Sequence, residues 1–152
     1  MFVPQVALDH LPDHAEVEQD ALMSVLRRMT GSDDALRATL EHGFRDMELC
    51  QPALSRYVSS ELAELEHPAA QTLSYFLFVV VYLAFKDAFG PRLQPIAAPE
   101  IETTLNRLIT DGELRHSGIA RESYSEDVVA MGQPALMRML RREIDRAIDQ
   151  IP

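Results

Sequence analysis

Glu64-Leu-Glu-His67 and Glu113-Leu-Arg-His116 are two Glu-x-x-His spacings, and they carry residue types that could do chemistry. Carboxylate and imidazole one helical turn apart, repeated on two helices, is how di-iron carboxylate bundles hold their metals. That chemistry needs both groups mid-helix above a buried cavity. His67 abuts Pro68 at a helix end and Glu113 follows the breaker Gly112, so both pairs read as solvated helix ends. A second imidazole-rich stretch, His10-Leu-Pro-Asp13-His14 with Asp9, Glu16 and Glu18 nearby, offers donors that Zn²⁺ or Ni²⁺ would accept. It lacks the compact Cys/His spacing of structural zinc, and Asp13 has a helix-capping role. Cys50 and His42 are nucleophile and base types, but no nucleophile loop accompanies them, and a lone cysteine reads as a small buried hydrophobe. Six glycines scattered singly make no phosphate-binding loop. No catalytic residue, cofactor or metal ligand is expected, and the chain reads as leaning away from an enzyme.

The feature with most weight is aromatic. Tyr75, Phe78, Tyr82, Phe85 and Phe89 fall at steps of three and four, so on a helix they share one side. Such a stripe serves as plain core, as an interface between copies of the chain, or as one wall of an apolar pocket. In the last case the tyrosine hydroxyls orient an apolar small ligand. Arg138, Arg141, Arg142 and Arg146 form the densest basic cluster, against Glu143, Asp145 and Asp149. They are expected to pair with acidic surface in the same chain or in a symmetry mate.

Charge excludes whole classes of partner. The 152 residues carry 24 acids against 14 bases, a formal net charge of −10. Such a field repels phosphate backbones and anionic bilayers, so neither nucleic acid nor membrane is an expected partner. Lys86 is the one lysine beside thirteen arginines, a bias that follows from GC-rich bacterial coding. Cys50 is the one cysteine, so no intrachain disulfide forms, which fits a reducing cytoplasm. The N-terminus shows neither a basic region nor an apolar run of signal length. The length suits a single domain over 1–152, with 1–12 an acidic N-terminal arm expected to be mobile.

The elements that must position these residues are helices. One follows Asp13, shows Leu22, Val25, Leu26 and Met29, and ends at Gly31. A second starts at Ser32 or Asp33 and presents Leu36, Leu40, Phe44 and Met47, with Gly43 on the apolar side allowing a close neighbour. Pro52 opens a third through Leu54, Tyr57, Val58, Leu62 and Leu65. Leu73 to Phe85 is thirteen residues without a charge, too short for a membrane span and suited to a buried core helix over about 69–89. Its Phe78-Val79-Val80-Val81-Tyr82 has β propensity, but the length favours a helix. Pro99 opens a helix with Ile101, Leu105, Leu108 and Ile109 that Asp111-Gly112 closes. The segment 113–124 suits a small hairpin around Ser117-Gly118, followed by a short helix capped at Ser125. Pro134 opens the last helix through Leu136, Leu140, Ile144, Ala147 and Ile148.

Residues 101–118, IETTLNRLITDGELRHSG, resemble the end of a recognition helix and the start of a wing in winged-helix regulators. The likeness covers under twenty residues and implies DNA binding, yet up to Gly112 only Arg107 supplies a basic group. Residues 51–62 and 133–144 also echo one another through Gln-Pro-Ala-Leu, Arg56/Arg138 and Glu61/Glu143. Two independent helix starts explain that echo simply.

The expected fold is therefore all-α: a single-domain bundle of about five to six helices around a central apolar helix. The expected function is non-catalytic protein binding or regulation with self-association. The alternative is a small-molecule-binding bundle or small enzyme with its pocket along the aromatic face. A metal-carboxylate bundle and a winged-helix regulator stand behind both.

Overall fold

Caps and prolines divide the chain much as its sequence suggests. A computed structural model describes residues 16–116 and 132–150, in which six α-helices and one short 3₁₀ turn occur and no strand is found among the described residues. They are α1 (Gln19–Arg28), α2 (Asp33–Cys50), α3 (Pro52–Glu64), α4 (Pro68–Phe89), α5 (Ala98–His116) and α6 (Pro134–Asp149). The all-α bundle expected from periodicity is the fold observed.

Each boundary has a local cause. Gly31 adopts φ 130°, a backbone state that residues with a Cβ rarely enter, and so turns α1 into α2. Ser32 then caps α2, its Oγ accepting from the Ala35 N–H at 3.1 Å, with Asp33 and Asp34 in the first turn facing the positive helix end. Gln51 alone separates α2 from α3, and Pro52 supplies the preset φ of a first helical position. At the start of α4 the His67 Nδ1 accepts from the Ala69 N–H at 3.2 Å. Gln71, one turn on, donates to the Leu62 and Leu65 carbonyls and so closes the end of α3.

The core lies around α4, on which α1, α2, α3 and α6 all pack. Leu77, Val79, Val80, Leu83 and Ala84 of α4 are buried with Leu22 and Val25 of α1, Met47 of α2 and Leu136 and Met139 of α6. Burying an aliphatic side chain of this size contributes about 1.5–3 kcal/mol, far above the few tenths by which β-branched residues disfavour a helix. That difference is why the valine run is helical. Gly43 lies where α2 meets α4: a Cβ there would stand 2.8 Å from Val79 Cγ1 and 3.2 Å from Leu83 Cδ1. The close neighbour it admits is a pair of side chains, not a backbone.

Four expectations need correction. The first described helix starts at Gln19, after an extended 16–18, and not directly behind Asp13, which lies outside the described residues. The α5 helix does not close at Asp111-Gly112 but continues to His116. One glycine costs a helix only about 1 kcal/mol, too little to end it without a proline or a cap. The hairpin proposed over 113–124 is helical in its first four residues; 117–124, and the helix capped at Ser125, lie outside the described residues. The central helix is not covered all round either, since Phe78 is exposed and Val81 and Phe85 are half-buried. By length and composition alone Pro68–Arg92 is apolar enough to cross a membrane, with 28% of its most apolar window buried in the chain.

Candidate functional site

The five aromatic residues of α4 do not form one surface. Tyr82 is buried and donates its hydroxyl to Asp46 Oδ2 on α2 at 2.6 Å. Lys86, one turn further, donates to the same oxygen through Nζ. Tyr75 is half-buried, stacks at 5.4 Å on Phe44, and donates to the Leu40 carbonyl at 3.3 Å. Phe85 and Phe89 pair at 5.8 Å, and the Arg92 guanidinium lies 5.8 Å from the Phe89 ring centre. Phe78 points outward. The stripe therefore divides: its tyrosines tie α4 to α2, and its phenylalanines border solvent.

The α2–α4 seam holds the strongest electrostatic perturbation. Burial pushes the Asp46 carboxyl up, but hydrogen bonds from Lys86 and Tyr82, with the charges of Lys86 and His42, outweigh it and hold the pKa below the ordinary value. Burial, followed by hydrogen bonding to Asp46 and Cys50, pushes the Tyr82 hydroxyl far above its ordinary value. Tyr75 is raised by burial and then by Glu41 and Glu48. Carboxylate, phenol and ammonium thus satisfy one another, and the arrangement acts as a helix-to-helix tie. Cys50, expected to be buried, is exposed at the end of α2. The physical reason is its place on the last turn, where the apolar stripe has already ended at Met47.

Two grooves flank Tyr75. One of about 460 Å³ runs between α2 and α4, with Leu36, Leu40 and Tyr75 forming its floor and Asp33, Arg37 and Glu41 its rim. The other, of about 500 Å³, is lined by Ser59, Leu62 and Ala63 of α3 with Gln71, Thr72 and Tyr75 of α4. Both are open to solvent.

Of the metal spacings, Glu64/His67 lies among the described side chains, whereas those of Glu113 and His116 lie outside them. Among the described residues no group of three or more His, Cys, Asp or Glu side chains is placed to hold a metal ion. His67 is occupied as a cap, and the His10–His14 stretch lies outside the described residues.

The Gln-Pro-Ala-Leu echo has the structural meaning that sequence reading passed over. Gln51 and Gln133 are both buried and share one backbone state, φ −134°, ψ 64° against φ −135°, ψ 61°. Gln51 Oε1 accepts from the Ile96 N–H at 2.8 Å while its Nε2 donates to the Gln94 carbonyl at 2.9 Å. Gln133 Oε1 accepts from the Val17 N–H, also at 2.8 Å. Val17 stands two residues before α1 and Ile96 two before α5, so each amide clamps an extended arm leading into a helix. Leu22 and Leu26 in the helix behind one arm correspond to Ile101 and Leu105 in the helix behind the other. The two-amide pattern makes independent caps an incomplete account of the echo. The readable signal was a glutamine directly before each proline, where a short polar cap is the usual residue.

The helix behind the second clamp is covered for only half its length. Leu136 and Met139 of α6 are buried, whereas Ile144 and Ile148, on the same stripe, are 42% and 58% exposed. Arg142 and Arg146 flank them, each within 4 Å of the Glu143 carboxylate and both more than half exposed. On α5, Ile109 is also exposed.

No protein-family model, curated protein or solved structure matches this chain.

Proposed function

We propose that this chain works by binding protein, including a second copy of itself, as a regulatory or adaptor subunit without chemistry of its own. The observation that carries the reading is the distal half of α6, where Ile144 and Ile148 continue a buried stripe into solvent between arginines. Branched aliphatic residues at helical spacing on an exposed face mark contact surface. The polar residues of the α2–α4 seam support it, since each is engaged in a bond between helices. The net charge of −10 favours a protein partner over nucleic acid or anionic lipid, and a single cysteine favours the cytoplasm. Sedimentation velocity on the pure chain, with crosslinking and mass spectrometry in the native host, tests this. A monomer at every concentration that crosslinks to no polypeptide removes the reading.

The grooves beside Tyr75 favour a second reading, an apolar small ligand held against α4. Displacement of a bound apolar fluorophore, abolished by Tyr75→Ala, supports it. No saturable binding removes it.

A further inference from the structure

We infer that the chain contains two copies of one unit, and that each copy holds the extended arm of the other in a slot that reads backbone, not side chains. The unit is an arm, the helix behind it, and a later helix opened by Gln-Pro-Ala-Leu. One copy runs from Val17 through α1 to α3, the second from Ile96 through α5 to α6. The slot is the buried amide of Gln51 or Gln133 at the helix start that follows it.

Three observations support the two copies. The first is register. Both helices behind the arms start two residues after the clamped one, at Gln19 and Ala98. Over the ten residues of α1, Leu22 then aligns with Ile101, Leu26 with Leu105 and Arg28 with Arg107. The Leu22 N–H donates to the Glu18 carbonyl and the Ile101 N–H to the Ala97 carbonyl, the same bond in each copy. Beyond this the copies differ, since α1 ends before Gly31 and α5 runs on to His116. The second is reciprocity. Gln51 of the first copy holds Ile96 of the second, and Gln133 of the second holds Val17 of the first. The helices follow the same exchange, α3 packing on α5 and α1 on α6, with α4 against both α3 and α6. Crosswise pairing is what two like units about a two-fold produce. The third is backbone state. A residue before proline ordinarily has ψ of about 120–160°. Gln51 and Gln133 instead share ψ 64° and 61°, a value that proline alone does not set.

The occupants show what the slot reads. Val17 is fully buried and Ile96 is 37% exposed, yet each N–H meets a glutamine Oε1 at 2.8 Å. Gln51 adds a bond from Nε2 to the Gln94 carbonyl, two residues earlier. An N–H and a C=O at that spacing lie on one edge of any extended chain. The flanking residues, Glu16 and Glu18 in one arm against Pro95 and Ala97 in the other, share no chemistry. The ligand class is thus an extended peptide segment, and the two arms are interchangeable occupants.

The test writes the first arm into the second slot of the full chain. P95E/I96V/A97E replaces three exposed residues by the Glu-Val-Glu of positions 16–18. Hydrogen exchange by NMR reads the amide at position 96 against the core amides. It is expected to exchange within about threefold of its wild-type rate, and adding Gln51→Ala is expected to speed it about tenfold or more, as in the wild type. The Val17 amide is expected to stay protected throughout and to respond to Gln133→Ala alone. Protection lost at position 96 while Gln51 is present and the core amides are intact overturns the interchange. Should P95E/I96V/A97E unfold, I96V/A97E, which keeps Pro95, decides by the same reading. Equal exposure of both arms by Gln51→Ala overturns the reciprocal slots.

Discussion

At the scale of single residues, Gly43 sets how closely α2 approaches α4. A methyl group there meets Val79 Cγ1 at 2.8 Å, closer than side chains pack, so the Val79 side chain or one of the helices must shift. Overpacking of this kind costs about 1–3 kcal/mol, against which alanine gains roughly 1 kcal/mol of helix propensity over glycine. Gly43→Ala is therefore expected to lower stability modestly in the wild type. In a Val79→Ala background the same change is expected to raise it, and a urea double-mutant cycle reads the difference. Asp46 gives the pH counterpart. Its folded pKa lies below the ordinary 3.8, so the stability it adds is complete above that value and is lost as the pH falls through the folded one. Asp46→Asn is expected to lower the urea midpoint at neutral pH and to flatten its fall below about pH 4. Tyr82 has the opposite sign. Its raised pKa makes stability decline as the pH climbs past 10, and Tyr82→Phe should flatten that limb in the same titration.

Among the helices, what was readable divides along a physical line. Helix identity and the buried stripes depend on period and short-range capping, so Leu22, Val25, Met47 and Val58 could be marked as core from spacing alone. Serine at 32 and proline at 52 and 134 placed three helix starts for the same reason. Ties between distant segments leave no such period. Asp46 reaches Tyr82 and Lys86 across 36 and 40 residues, and Gln133 reaches Val17 across 116. Only the lone lysine and the Gln-Pro pair hinted at them, and neither named a partner. The outward turn of Phe78 was hidden similarly: period fixes which residues share a side, not which side finds a neighbour. The clamps themselves carry a prediction. Gln51→Ala removes two hydrogen bonds and leaves the Ile96 N–H half-buried without its acceptor, at a cost of about 1–3 kcal/mol. The Ile96 amide is then expected to lose hydrogen-exchange protection before the core amides do. Gln133→Ala is expected to do the same at Val17.

For the molecule as a whole, the question posed by α4 is whether so apolar a helix belongs in a bundle or a bilayer. Its two charged residues bear on that question through their partners: Lys86 bonds to Asp46, and Asp87 meets Arg28 of α1 at 2.6 Å. Both ties join the end of the apolar run to neighbouring helices, as the bundle reading expects. Expressed without a tag, the chain is expected to remain in the supernatant after high-speed centrifugation of a lysate. Recovery in the membrane pellet, released by detergent but not by salt or carbonate, would contradict the bundle. The same Lys86 has a practical consequence. Because it is the sole ε-amine and already donates to Asp46, amine-directed acylation is a reporter with one internal address. Its labelling rate, followed by peptide mass spectrometry, measures how often the Lys86–Asp46 bond opens.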